Sequence, residues 1–295
     1  MIAFIYLLLP NSYEVHANLT NTQWHLAILA CAVILAKPSQ RLGWRIFDVL
    51  LVTISSLSGP FCLFLLPVIG IQWWRTKNRW TLNLLIILAV GVIVQVCALT
   101  FSDSPSNALL GATPELFFKT IGGQIFLASL IGTNGYFYVK ENYGWTFFSA
   151  FLITLVGCMP LVYVLWKGKA ELKLFLLFAG LITLGALLRP TITEEKPQWQ
   201  EIWLPFAANR YWTIPTLAFI LILIWAVSQN ANKYWRAIGA IFLLILPIGI
   251  FNDWKYTPYK DLHFTEQAQK LTDAPIGSGI EIPINPDWTM KLIKK

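Results

Sequence analysis

Thr81-Leu-Asn-Leu-Leu-Ile-Ile-Leu-Ala-Val-Gly-Val-Ile-Val-Gln-Val-Cys-Ala-Leu-Thr-Phe101 is an apolar run without a charged residue, and its length decides the fold class. An α-helix rises 1.5 Å per residue, so about 20 apolar residues cross the roughly 30 Å of bilayer hydrocarbon. Runs of the same kind occupy 145–166, 172–188, 212–229 and 236–252, and 23–36 is a shorter one. Composition agrees: 56% of the 295 residues are hydrophobic and only 13% are charged, where soluble domains carry about a quarter. The 14 Trp and ten Tyr suit a chain with two membrane–water interfaces. The net charge of +7 comes from short basic clusters between apolar runs. That pattern anchors loops in the cytoplasm and argues against a nucleic-acid partner.

Lysine and arginine also set the orientation. Four clusters (Lys37/Arg41/Arg45, Arg75/Lys77/Arg79, Lys167/Lys169/Lys173 and Lys233/Arg236) hold eleven basic residues. With these loops in the cytoplasm, only Lys119, Lys140, Arg189, Lys196 and Arg210 fall on the other side before residue 253. The arrangement constrains 46–74, which basic clusters flank at both ends. A single crossing would put one cluster on the wrong side, and Gly59-Pro60 breaks the run in its middle. The reading is a hairpin with arms at 46–57 and 61–74 and Ser58-Gly-Pro60 as its outer tip. The same charge rule makes 117–138, with Gly122-Gly123, Gly132 and Gly135, a re-entrant or interfacial segment.

The fold expected is an all-α polytopic membrane protein with about seven to nine membrane-inserted helices, counting the short hairpin. The membrane domain is 1–252, and 253–295 forms a small extracytoplasmic α/β appendage with a helix over 261–271 and a strand from Gly279. Met1–Leu9 resembles the tail of a helix whose beginning is missing. Cys31, Cys62, Cys97 and Cys158 lie in apolar runs without zinc or redox spacing, so neither a metal site nor a cofactor is expected.

Three polar-aromatic clusters interrupt the apolar pattern, and this orientation puts all of them on the outer side. In the first, Asn18, Asn21, Gln23, Trp24 and His25 are candidates to hydrogen-bond a sugar or a lipid headgroup, with Glu14 or His16 as the base. The plainer reading is a helix cap, with Thr20 or Asn21 as the cap residue. In the second, Ser55-Ser-Leu-Ser-Gly-Pro60, Ser58 sits at the Gly-Pro break; the stretch reads equally as a turn and as hydroxyls with free N–H groups that suit an anion. The third, Asn209-Arg-Tyr-Trp212, follows an outer loop that contains Arg189, Glu194 and Glu195. Arginine is the preferred bidentate partner of phosphate, so Arg210, with Arg189, Asn209 and Tyr211, is the candidate phosphate site. The plainer reading there is a snorkelling arginine in an aromatic belt.

Asn18-Leu-Thr-Asn-Thr-Gln-Trp24, Leu57-Ser-Gly-Pro-Phe61, Asn209-Arg-Tyr-Trp212 and Ile282-Pro-Ile-Asn-Pro-Asp-Trp288 resemble segments of bacterial multi-spanning proteins. Those in turn resemble the C-terminal portion of GT-C membrane glycosyltransferases. The resemblance implies transfer of a sugar from a polyprenyl-phosphate-linked donor on the extracytoplasmic side of the bacterial inner membrane, with membrane lipid and the lipid-linked sugar as partners. GT-C enzymes carry an essential acid in the first outer loop. Here that loop would lie upstream of Met1 or be absent, and Glu14, the only early acid, does not align with it. The expectation therefore divides between a transferase, a truncated or inactive form of one, a lipid-linked glycan transporter or flippase, and a non-catalytic assembly subunit.

Overall fold

The computed structural model describes residues 2–101, 108–193, 196–228, 232–254, 259–285 and 288–295. Contacts divide the chain into two compact units, Met1–Trp254 and Lys255–Lys295. Glu194, Glu195 and the Pro286-Asp287 pair of the last quoted motif lie outside the described residues.

Short helices α1 (Ile2–Leu7) and α2 (Tyr13–His16) lead through a 3-10 turn at Leu19–Asn21 into α3 (Thr22–Leu35). The hairpin follows as α4 (Leu42–Leu57) and α5 (Phe61–Thr76). Its tip is where the Gly-Pro pair predicts it: Ser58 closes α4 with its N–H on the Ile54 carbonyl at 3.0 Å, and Pro60 at φ −73° opens α5. Both arms have 16 residues, against the shorter arms read from sequence. Arg45 and Arg75 continue the helices because arginine favours helix and its stem packs along apolar surface. Each arm therefore reaches about 24 Å.

Next come α6 (Arg79–Phe101), α7 (Pro114–Thr120), a π-helical turn at Ile121–Leu127, α8 (Ala128–Tyr143), α9 (Phe147–Lys167) and α10 (Ala170–Leu188). The membrane unit ends with α11 (Gln198–Ile202), α12 (Thr213–Val227) and α13 (Lys233–Asp253). Five helical segments among the described residues are long and apolar enough to cross a membrane: 79–101, 114–143, 147–167, 170–188 and 233–253. That is the make-up of an integral membrane protein. Leu65, Ile69, Phe178, Ile214 and Ile220 are buried among α3, α5, α10 and α12, while Val90, Ile93, Leu244 and Phe251 on α6 and α13 are exposed.

The 114–143 segment is not one straight rod. Gly132 has φ 79° and ψ 168°, a conformation open to glycine alone, and the helix breaks there. A straight helix would hold residues 123 and 136 about 20 Å apart. Instead the Tyr136 ring fills the space where a Gly123 side chain would be. Both ends of the segment also lie together. The Leu110 carbonyl accepts from Trp199 N–H at 3.0 Å, and Trp145 Nε1 donates to the Lys119 carbonyl at 3.1 Å and stacks edge-on to Tyr136. The break at Gly132 thus lets the chain double back on itself, with Lys119 and Trp145 side by side.

Helix ends sort accordingly. At one end of the bundle Gln95 of α6 donates to the Leu57 carbonyl of α4 at 2.9 Å. The close of α10 joins it there, with Gly185 against Phe64 and the Leu187 carbonyl accepting from Trp199 at 2.8 Å. The helix ends that carry the basic clusters meet through other contacts: Arg45 lies over the Trp80 ring at 5.5 Å, beside Arg79, and Tyr163, one turn before Lys167, stacks on Trp235, beside Arg236, at 4.6 Å.

The small unit has α14 (Phe264–Asp273) and an antiparallel pair, β1 (Gly279–Ile284) with β2 (Trp288–Ile293), in register from Gly279↔Ile293 to Ile284↔Trp288. The alternation of Ile280, Ile282 and Ile284 gives β1 its strand character and buries Ile282. The helix starts three residues later than read from sequence, because the Asp261 side chain accepts from His263 N–H at 2.9 Å and holds a turn ahead of it.

Candidate functional site

The three polar-aromatic clusters meet at one end of the bundle. Trp24, at the start of α3, packs edge-on to Phe61 of the hairpin tip at 4.6 Å and to Tyr211 at 6.0 Å. Gln23 lies so close to Gly59 that any side chain there would overlap it. Ser58 is exposed beside that contact.

Arg210 sits in a 3-10 turn (Asn209–Tyr211) just ahead of α12. Its guanidinium pairs with the Glu14 carboxylate and donates to the Thr191 carbonyl at 3.0 Å, and its backbone N–H donates to Glu14 Oε2 at 3.1 Å. Arg210 also lies over the Tyr211 ring at 4.8 Å, and Tyr211 Oη meets Thr191 Oγ1 at 2.9 Å. Burial works against the cation, but Glu14 and then Tyr211 more than offset it, so the pKa is raised and the charge is permanent. The side chain remains 26% exposed. An oxyanion arriving from outside would therefore meet a fixed guanidinium with N–H groups to spare.

Behind Glu14, His16 Nε2 bonds the Tyr6 carbonyl at 3.1 Å and His25 Nε2 bonds the Val15 carbonyl at 3.2 Å, while Tyr6 Oη bonds His25 Nδ1. With Nε2–H donating in both, His25 has a partner at each of its ring nitrogens. Burial, followed by the neighbouring His25, lowers the His16 pKa. Asn21 is buried, with its amide donating to the Glu14 carbonyl at 2.8 Å. Asn18 caps the 3-10 turn, accepting from Thr20 N–H at 3.0 Å. Asn18 and Asn21 thus serve the fold of this loop. Arg189 is exposed at the C-cap of α10, two residues before Thr191.

A second polar group underlies the first. Asp253 ends α13, and its carboxylate accepts N–H bonds from Asn11 (2.8 Å), Thr133 (2.8 Å) and Asn134 (3.2 Å), the last two just beyond the Gly132 break. It neutralises the start of the returning half of α8, as a carboxylate does at a helix N-terminus. Asn11 donates to the Gln124 carbonyl at 2.9 Å and accepts from Thr133 Oγ1 at 2.8 Å and from the Asn209 amide. Gln124 reaches on to the Leu204 carbonyl at 2.7 Å. Asn209 and Arg210 are thereby fixed from both sides, and Asn209 is fully buried in this network. The cost is visible in the backbone: Asn11, Phe206 and Ala208 all have positive φ, a conformation worth about 1 kcal/mol or more at a non-glycine residue.

The structure therefore brings Glu14, His16, Gln23, Trp24, His25, Ser58, Asn209, Arg210 and Tyr211 to one end, turns Asn18 to capping and ties Asn21 to the Glu14 carbonyl. Glu14 is not an unpaired base; Arg210 occupies it. Sequence reading missed Asn11, Gln124, Thr133 and Asp253, which lie up to 242 positions apart in pairing. Only the glycine break at 132 pointed toward them. Among the described residues no three His, Cys, Asp or Glu side chains gather as a metal site. No family model matches the chain, and no curated protein or solved structure matches it.

Proposed function

We propose that this membrane protein binds a polyprenyl-phosphate-linked sugar at its polar-aromatic end, with Arg210 on the phosphate, in the manner of the GT-C glycosyltransferases that it resembles. The observation that carries the reading is the convergence of Trp24, Phe61 and Tyr211 beside a partly exposed, permanently charged Arg210. Aromatic faces suit an isoprenoid or a sugar ring, and a guanidinium suits phosphate oxygens.

In this proposal the site faces the extracytoplasmic side of a bacterial inner membrane. Support comes from the sorting of helix ends: the starts of α3, α5 and α12 and the close of α4 gather at the site, and the helix ends that carry the basic clusters meet through other contacts. The fold-back at Gly132 lets 114–143 dip in and return, which keeps the downstream basic loops in the cytoplasm. The hairpin and this re-entrant segment are then part of about seven to nine membrane-inserted helices.

Sugar transfer is the reaction that the resemblance supplies. A non-catalytic reading has a specific observation in its favour: Glu14 is paired with Arg210 and Asp253 is saturated by N–H donors, so neither carboxylate stands free as a base. Native mass spectrometry of the purified protein with polyprenyl phosphate tests the binding step. Binding that Arg210→Ala abolishes supports the proposal, and binding that survives this change unaltered rejects the phosphate assignment.

A further inference from the structure

A third surface adjoins the Arg210 site. Phe137 on the returning half of α8 and Phe206 in the loop before Asn209 face each other with ring centroids 5.9 Å apart. Both are exposed, 46% and 42% respectively, although the neighbouring Asn209 and Asn11 are buried. Phe206 is displayed at φ 68° and Ala208 follows at φ 51°, so the loop keeps a strained backbone while leaving the ring outside. Tyr13, beside Glu14, donates its hydroxyl to the Phe206 carbonyl at 3.1 Å, which ties this platform to the ion pair.

One turn before Phe137 on the same helix face stands Asn134. Its amide nitrogen donates to the Asn252 carbonyl at 2.9 Å and to Asp253 Oδ1 at 3.3 Å. These bonds fix the side-chain plane and leave the exposed Oδ1 as an acceptor with no partner among the described residues. A rigid planar acceptor next to two exposed aromatic rings is the chemistry that recognises an uncharged hydroxylated ring: hydroxyls donate to the amide oxygen, and C–H faces lie on the aromatics.

On the reading that Arg210 takes the lipid phosphate, we infer that Phe137, Phe206 and Asn134 form the subsite for the sugar carried on that phosphate. The competing explanation for two exposed phenylalanines is plain membrane anchoring, and the ligand pair below separates the two. Affinities of polyprenyl phosphate and of glucosyl polyprenyl phosphate are compared on the full-length protein and on Phe137→Ala, Phe206→Gly and the double variant. Glycine suits the positive φ at 206 and removes only the ring.

The parent should prefer the glycosylated lipid. The double variant should lose about tenfold affinity for it, the scale of one or two aromatic contacts, and keep its affinity for the bare lipid phosphate. That unchanged value also reports that the protein is folded. Equal affinity of the parent for both lipids, or a sugar preference untouched by the double variant, overturns the subsite while the phosphate reading stands. Binding of neither lipid by the parent defeats the phosphate reading itself. Should the Phe206 change weaken the bare lipid too, Phe137→Ala decides alone, and an unchanged sugar preference there overturns the subsite.

Discussion

Gly132→Ala is the change for which the structure dictates the largest effect per atom added. At φ 79° and ψ 168° an L-residue is strained, on the order of 1–3 kcal/mol. The new Cβ would lie 2.6 Å from Asp253 Oδ1 and 2.8 Å from the Gly249 carbonyl oxygen. Neither can retreat freely, since the carboxylate is fixed by N–H groups of Asn11, Thr133 and Asn134 and Gly249 is in the body of α13. Giving up one hydrogen bond to a charged group adds about 1.5–3 kcal/mol. The sum, about 3–6 kcal/mol, is a large share of the ~5–15 kcal/mol that folded proteins possess. At about 2–4 °C per kcal/mol for a unit of this size, thermal unfolding in detergent should move down by about 6–24 °C. Gly180→Ala, in α10 with nothing within 4 Å of the new methyl, should be neutral or slightly stabilising. A Gly132→Ala protein that unfolds within a degree or two of the parent would refute the fold-back and the Asp253 contacts together.

Other expectations follow from the same geometry. Glu14→Gln should destabilise by about 1–3 kcal/mol, because the pair is only partly screened by solvent, yet it should tighten lipid-phosphate binding several-fold by releasing Arg210; weaker binding in titrations would contradict the competition. His16 has a folded pKa below its ordinary 6.5, so the unfolded chain takes up the proton first. The stability that the neutral ring contributes is present above pH 6.5 and is lost as pH falls toward the lowered folded value; denaturant midpoints should drop over that window, and His16→Gln should flatten the slope. Tyr136→Phe removes the donor to the Trp203 carbonyl at 2.8 Å and should cost about 1 kcal/mol in chemical denaturation, whereas no change would mean that the Tyr136 hydroxyl is not held by that carbonyl.

Much of the fold could be read locally. Apolar run length sets which helices are long enough to cross, and the hairpin tip at Ser58-Gly-Pro60 follows from the restriction proline places on itself and on the preceding residue. The glycines and the charge rule mark 117–138 as a broken, re-entrant or interfacial segment, but the contacts that hold the break at Gly132 are not legible, because they come from Asp253 and Tyr136 acting across the bundle. The Glu14–Arg210 pair joins residues 196 positions apart, and no periodicity or charge count links two such positions. Asn21 illustrates the opposite failure: a polar residue at a helix start looks the same in sequence whether it caps, ties a loop or meets a ligand. The strand β2 was missed because Trp288-Thr-Met-Lys-Leu-Ile293 alternates weakly and needs its partner β1 to settle its state.

The most direct test places a photoreactive amino acid at Ser58, exposed beside the Gln23–Gly59 contact and the Trp24–Phe61–Tyr211 aromatics, and irradiates the protein in its native membrane. Captured lipid is then identified by mass spectrometry. Enrichment of a phosphate-bearing isoprenoid over the bulk phospholipids, lost in Arg210→Ala, is the expected result. Capture in proportion to bulk lipid composition, the same with and without Arg210, would contradict a lipid-phosphate site at this end of the molecule.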